Sequence, residues 1–193
     1  MEKQNLIPHY NFSGFPGVGK TTIMKLILQE KPAIYIPKIT TRVQRPEEKE
    51  DGSFQEYLFI TLEDFDERNK QNHFIAVKTN KEHDVVEKYG IPKYEYWPAI
   101  PTGTELILST FGTQAHLAKK CSPNMKMLFI SCRNMDTLYK RLHDRCMRDG
   151  SDYEGRVAKI KSYINSNIEL NYDLILYNDN TPQECAQDFL KLI

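Results

Sequence analysis

No stretch of this 193-residue chain stays apolar for the roughly 18 residues that a membrane span needs. The opening residues Met1 to Leu6 hold no apolar core of a secretory signal, so a cytoplasmic protein with no membrane partner is expected. An excess of either charge is also missing, since 26 Lys plus Arg balance 26 Asp plus Glu. That excludes a chain whose main task is to coat nucleic acid or an anionic surface. Cysteine is sparse: Cys121, Cys132, Cys146 and Cys185 make no CxxC pair and no cluster with histidine, which fits reduced thiols rather than a disulfide framework or a structural metal. Internal repeats and low-complexity tracts are lacking too. What is present is 40% hydrophobic and 27% charged residues, the mix of a globular fold, in a length that suits one domain over 1–193.

Periodicity gives the order of elements. A short strand over His9–Ser13 runs into a glycine-rich turn, and a helix follows from about Thr21 to Glu30 with Ile23, Leu26 and Ile27 at helical spacing. Pro32 ends it, and Ala33–Ile36 reads as a buried strand. From Lys38 to Asp51 the chain turns charged, with Ile39 and Val43 its aliphatics. Tyr57–Ile60 and Phe74–Val77 read as strands flanking an acidic helix, Leu62–Lys70. The aromatics Tyr94, Tyr96 and Trp97 read as packing, and the acidic run Glu47 to Asp51 as a solvated loop. Leu106–Leu108, Met127–Ile130 and Leu174–Leu176 are further buried strands, with helices over Met135–Arg145, Tyr153–Leu170 and from Pro182 onward; a charged loop follows Arg145. Strands alternating with helices predict an α/β fold, a parallel β-sheet flanked by helices. The polar segment 38–97 reads as an inserted mixed or antiparallel lobe.

The strongest local signal is Gly14-Phe15-Pro16-Gly17-Val18-Gly19-Lys20-Thr21, which satisfies GxxxxGK[ST] between a strand and an amphipathic helix. Glycines let the backbone curl so that N–H groups converge on phosphate oxygens, and the helix N-terminus adds positive potential. A nucleoside triphosphate site is therefore expected at Gly14, Gly17, Val18, Gly19, Lys20, Thr21 and Thr22, with Lys20 on the outer phosphates and the Thr21 hydroxyl on Mg2+. Further on, Arg42 and Arg45 stand three residues apart and can fork around a second phosphate.

TTRxxRP at Thr40–Pro46, Gly52, Tyr57-Leu58-Phe59-Ile60, Tyr89-Gly90, Arg141-Leu142 with Arg145, and Asn178-Asp179 follow in an order that resembles the guanylate kinase family over nearly the whole chain. The resemblance implies a P-loop kinase fold with an acceptor-binding lobe over about 38–97 and a short lid over about 145–157. It implies ATP as donor, Mg2+ as cofactor, and a small phosphorylated acceptor, a nucleoside monophosphate. Residue by residue, Arg42, Arg45, Tyr57 and Tyr89, with Gly90, match the grip on the acceptor phosphate. Arg145 and Arg156 match the lid arginines, and Arg148 shares that role because Cys146–Ser151 departs from the usual glycine-containing start. Asn178 matches a residue near the donor adenine. Transfer between phosphates requires alignment and neutralised charge rather than an enzymic base.

The base-reading positions depart from the family. Ala76 stands where a glutamate accepts guanine N–H groups, Leu108-Ser109-Thr110-Phe111 where a strand carries two aspartates, Ile91 and Lys38 where serines are expected. Lys78, Glu82 and Asp84 are near enough to take the place under an offset alignment. Three readings follow: a nucleoside monophosphate kinase, either an ordinary guanylate kinase or a guanylate kinase-like enzyme with altered or relaxed base choice; a kinase of a phosphorylated sugar such as ribose 1,5-bisphosphate, whose enzyme resembles Gly112–Leu117 including His116; and a non-catalytic guanylate kinase-like binding module. Retention of Lys20, Thr21, Arg145 and Arg156 favours an enzyme.

Overall fold

A computed structural model describes residues 10–31, 33–45, 48, 54–82, 85–97, 101, 104–110, 112–121 and 125–192. In chain order its first elements are β1 (Tyr10–Gly14), α1 (Lys20–Glu30), β2 (Ala33–Ile36), β3 (Lys38–Thr40), β4 (Tyr57–Phe59), α2 (Leu62–Lys70), β5 (Phe74–Glu82) and β6 (Val85–Pro92). There follow β7 (Glu105–Ser109), α3 (Ala115–Cys121), β8 (Lys126–Ser131), α4 (Met135–Asp149), α5 (Tyr153–Asn165), β9 (Leu174–Tyr177) and α6 (Pro182–Leu190).

Five strands form a parallel sheet in the order β2-β7-β1-β8-β9. Its strands are nearly continuous apolar runs because both faces are covered. On one side Ile23, Met24 and Ile27 of α1 and Ala186 and Phe189 of α6 join a cluster with Phe12, Ile107 and Leu128. In a second cluster, Ala115 and Ala118 of α3 close on Leu108 and Met127, together with Ala76 and Ile91 from the other sheet. Each large side chain so buried contributes about 1.5–3 kcal/mol. β1 lies between β7 and β8, so the chain leaves its C-terminal end at a crevice where the connections diverge.

The second sheet is mixed, in the order β4-β3-β6-β5, with β3 parallel to β4 and antiparallel to β6, and β5 antiparallel to β6. Register sets Tyr89 opposite both Thr40 and Lys78, so these side chains share a face. Gly90 is demanded by packing: a Cβ there would lie 2.5 Å from the Phe74 ring, which itself stacks on Phe65 of α2 at 4.6 Å.

Several expectations are corrected. Part of the charged stretch after Lys38 is strand β3, because Lys38 and Thr40 bury beside Ile39 and find polar partners. β6 and α3 had no period to reveal them. Helix α4 runs to Asp149, past Arg145, and is closed by Gly150 at φ 65, so the charged loop expected between Arg145 and Tyr153 is reduced to a short turn before α5. The helix expected to reach Leu170 ends at Asn165; Asn167 takes φ 48, and Ile168–Asn171 form a 3-10 turn. The aromatic packing holds in part: Tyr96 stacks on His73 at 3.7 Å and the Trp97 indole donates to the Pro92 carbonyl, while Tyr94 is exposed. Glu47, Glu50, Asp51, Gly52, Asp84 and Phe111, and the side chain of Glu82, lie outside the described residues. No helix among the described residues is long and apolar enough to cross a membrane.

Candidate active site

The loop after β1 is shaped by what its glycines permit. Gly17 and Gly19 take φ of 78 and 88, where any side chain is strained. At Gly14 a Cβ would come within 2.7 Å of the Ile130 carbonyl oxygen. Helices α2, α4, α5 and α6 each begin with a side-chain cap, Thr61, Asn134, Asp152 and Thr181, that accepts from the N–H three residues on. Helix α1 differs: Gly19 gives it no side-chain cap and its first turn carries no acid, so its N–H groups and dipole remain for an anion.

The loop opens into a cleft of about 1130 Å3 that reaches from Gly14–Thr22 to the second sheet and the α4–α5 turn. Its centre is a residue not singled out from the sequence. Glu56, just before β4, accepts from the Thr21 hydroxyl at 2.5 Å and from the Lys38 ammonium at 2.9 Å, and lies 3.8 Å from the Lys20 ammonium. Burial alone would raise its carboxyl; Lys38, Lys20 and the Thr21 hydroxyl outweigh burial and hold it well below the usual carboxylate range. Burial, aided by Lys38 and Arg145 and opposed by Glu56, lowers Lys20 to about 8. No periodicity could have marked Glu56, since a single acid before a strand reads as surface.

Toward the second sheet, Arg42 is buried with its guanidinium 5.3 Å from the centres of both the Tyr57 and Phe59 rings, and it donates to Glu48 at 2.6 Å. Tyr57 and Tyr89 meet edge to face at 6.0 Å, and the Tyr89 hydroxyl donates to Glu87. Arg45 pairs at 3.4 Å with Asp149, whose same oxygen lies 3.5 Å from Arg145. Four of the expected cations thus converge on one cleft and face carboxylates: Lys20 with Glu56, Arg42 with Glu48, Arg45 and Arg145 with Asp149.

Arg145, Arg148 and Arg156 all line the cleft; Arg148 is exposed and donates to the Asp144 carbonyl. Lys159 lines it as well, three residues beyond Arg156 on the same helix. Burial, then the neighbouring Lys78 ammonium, lowers Lys159 to about 7. The spacing from Arg156 was the signal that would have found it. Two of the expected residues do not line the cleft. Asn178 is buried beneath the loop, donating to the Val18 carbonyl at 2.8 Å, because that backbone oxygen needs a partner; Gly90 serves the Phe74 contact rather than the cleft. His116 is exposed on α3 and does not line the cleft, whereas Gly112 does.

The base-reading positions are brought together and are not acidic. Lys38 donates to Ser109 at 3.3 Å, both buried. Ala76 faces Ile91 across β5 and β6, and both are sealed into the apolar cluster. Among the described residues, β5 offers the cleft Lys78, Thr79, Asn80 and Lys81, and no carboxylate.

For a metal, the cleft supplies the Thr21 hydroxyl and the Glu56 carboxylate, both hard oxygen donors. Among the described residues there is no group of three or more His, Cys, Asp or Glu that could cage an ion. The donor set therefore fits Mg2+ carried in with a triphosphate, which completes the coordination with its own oxygens and water.

Comparison with known proteins agrees with this geometry. The family model described as guanylate kinase matches residues 9–188. A guanylate kinase of Onion yellows phytoplasma (strain OY-M) is 33% identical over 172 residues, spanning 86% of this chain and 76% of that protein. One of Streptococcus pneumoniae serotype 4 is 31% identical over 173 residues, spanning 89% and 79%. The crystal structure of guanylate kinase from Anaplasma phagocytophilum shares the fold, with a TM-score of 0.66 over 97% of this chain and 84% of that one, at 19% identity.

Proposed function

The chain belongs to the guanylate kinase family, and from that premise we propose that it transfers the γ-phosphoryl group of ATP to the phosphate of a nucleoside monophosphate, with a base choice that differs from guanine. The observation that carries the reading is the convergence of Lys20, Arg145, Arg42 and Arg45 on one cleft. The loop N–H groups and Lys20 hold the donor phosphates, while Arg42 and Arg45, backed by Tyr57 and Tyr89, hold the acceptor phosphate. Arg145, Arg148, Arg156 and Lys159 bring positive charge from the lid side to the group in flight. Such positioning and neutralisation are what phosphoryl transfer requires of a protein. Mg2+, when bound with ATP, neutralises charge on the donor phosphates. The carboxylates of Glu48, Glu56 and Asp149 occupy the cations in the absence of phosphates and must exchange them when substrates enter.

One observation favours a sugar phosphate as second acceptor class. With Ala76 and Ile91 sealed in the core and Lys38 against Ser109, none of the four positions that resemble the family's base readers offers a guanine amide edge a carboxylate. Each buried group left unpaired costs about 1–3 kcal/mol. A non-catalytic module is disfavoured by the intact glycine loop and Lys20. A coupled assay of ADP release with ATP, Mg2+ and a panel of nucleoside monophosphates and ribose phosphates tests the reading. Turnover with at least one of them is expected, and none with any would contradict it.

A further inference from the structure

We propose that Glu56 is the carboxylate that holds the donor's metal ion, carried to the P-loop by the acceptor lobe, and that Lys38 is the residue that positions it. The assignment rests on the donor-site reading above.

A P-loop threonine shares its metal with an acid, which P-loop enzymes commonly place on a neighbouring strand. Here the end of β7, beside β1, offers Ser109, a neutral hydroxyl. The acid in contact with Thr21 comes instead from the other sheet: Glu56 Oε2 stands 2.5 Å from Thr21 Oγ1. Its second oxygen is fixed. Lys38, whose side chain is 2% exposed, donates to Glu56 Oε1 at 2.9 Å and to Ser109 Oγ at 3.3 Å. Lys38 therefore links Ser109, the neutral end of β7, to the acid that faces Thr21. The carboxylate cannot rotate freely, so Oε2 stays directed at the Thr21 hydroxyl. Mg2+ takes one or two carboxylates plus phosphate oxygens and keeps several waters, and Thr21 with Glu56 meets that need. Because Glu56 immediately precedes β4, the site is complete only while the second sheet is against the loop, which ties metal binding to the acceptor half.

The rival explanation is a buried ion pair that serves stability alone. Breaking such a pair leaves a buried charge uncompensated, whereas removing both members is often neutral. The test therefore uses Glu56→Gln and the double variant Lys38→Met/Glu56→Gln in the full chain. Binding of mant-ATP is titrated with and without Mg2+, and Mn2+ binding to the ATP complex is followed by EPR. Thermal unfolding is measured alongside. In both variants metal-free binding of mant-ATP should be retained or tightened, and the tightening by Mg2+ and the Mn2+ affinity should fall by about tenfold or more. The double variant should recover the melting temperature that Glu56→Gln loses, without recovering the metal effect. A double variant with wild-type Mn2+ affinity overturns the proposal while leaving the donor-site reading intact. Wild-type protein that binds no mant-ATP under either condition overturns both.

Discussion

At the donor end of the cleft the backbone is the binding surface: Gly17 and Gly19 hold positive φ, Gly14 clears Ile130, and helix α1 begins without a side-chain cap. At the acceptor end the surface is made of side chains, with Arg42 over two rings, Arg45 bridged to Arg145 through Asp149, and Lys38 against Ser109. The difference has a consequence for specificity. A backbone cradle reads phosphate, which every donor shares, and it survives only if its glycines do. A side-chain pocket can keep its phosphate clamp while exchanging the residues that meet the rest of the substrate. Here Arg42, Arg45, Tyr57 and Tyr89 line the cleft together, while Lys38, Ala76, Ile91 and Ser109 are buried and none of them is acidic.

The sharpest way to break this contrast is at Lys20. Lys20→Ala removes the charge nearest the transferring oxygens and should lower turnover by at least about a hundredfold, with folding intact because the loop's own backbone makes the turn. Steady-state rates and circular dichroism check this; wild-type turnover would remove the loop from the reaction. Next are Arg42→Ala and Arg45→Ala, each of which should raise the acceptor KM by roughly tenfold or more, the worth of a hydrogen bond to a charged group, with ATP affinity nearly unchanged. Equal losses for both substrates would move these arginines to the donor end.

A pH profile separates the two ends further. Lys20 is lowered to about 8 and Lys159 to about 7, so in the free enzyme their charges are present below those values and are lost as pH rises through them. kcat/KM should therefore fall on the alkaline side, beginning near neutrality. Lys159→Arg, which stays charged, should move that fall upward by about one pH unit. An unmoved limb would assign it to Lys20 alone. The smallest effect is expected at Asp149. Its carboxylate competes with phosphate for Arg45 and Arg145, so Asp149→Asn should lower the acceptor KM by about two- to fivefold, less at high salt because these charges are partly exposed. A raised KM would make Asp149 part of the clamp.

The donor end was legible in sequence because its geometry depends on glycine spacing between a strand and a helix, all within Tyr10–Glu30. The parallel sheet was legible for a related reason, since its doubly covered strands are uninterrupted apolar runs. The acceptor lobe was harder. β3 hides in a charged stretch because Lys38 and Thr40 are buried with partners distant in sequence, and β6 lacks a clean alternation. Glu56 meets Thr21, and Asp149 meets Arg45, only through contacts between elements far apart in sequence, which one-dimensional spacing does not contain. Asn178, a position that matched a ligand contact, also supports the loop from beneath, its amide donating to the Val18 carbonyl.

The central claim is that the phosphate clamp is kept while the guanine reader is not. It is tested most directly by specificity constants for GMP, the other nucleoside monophosphates and ribose phosphates at matched concentrations with ATP and Mg2+. Losing one or two buried hydrogen-bond acceptors at about 1–3 kcal/mol each erodes guanine preference by roughly fivefold to twenty-thousandfold. The account predicts that at least one other phosphorylated acceptor equals or exceeds GMP; a preference for GMP of about a hundredfold or more over every other acceptor would contradict it.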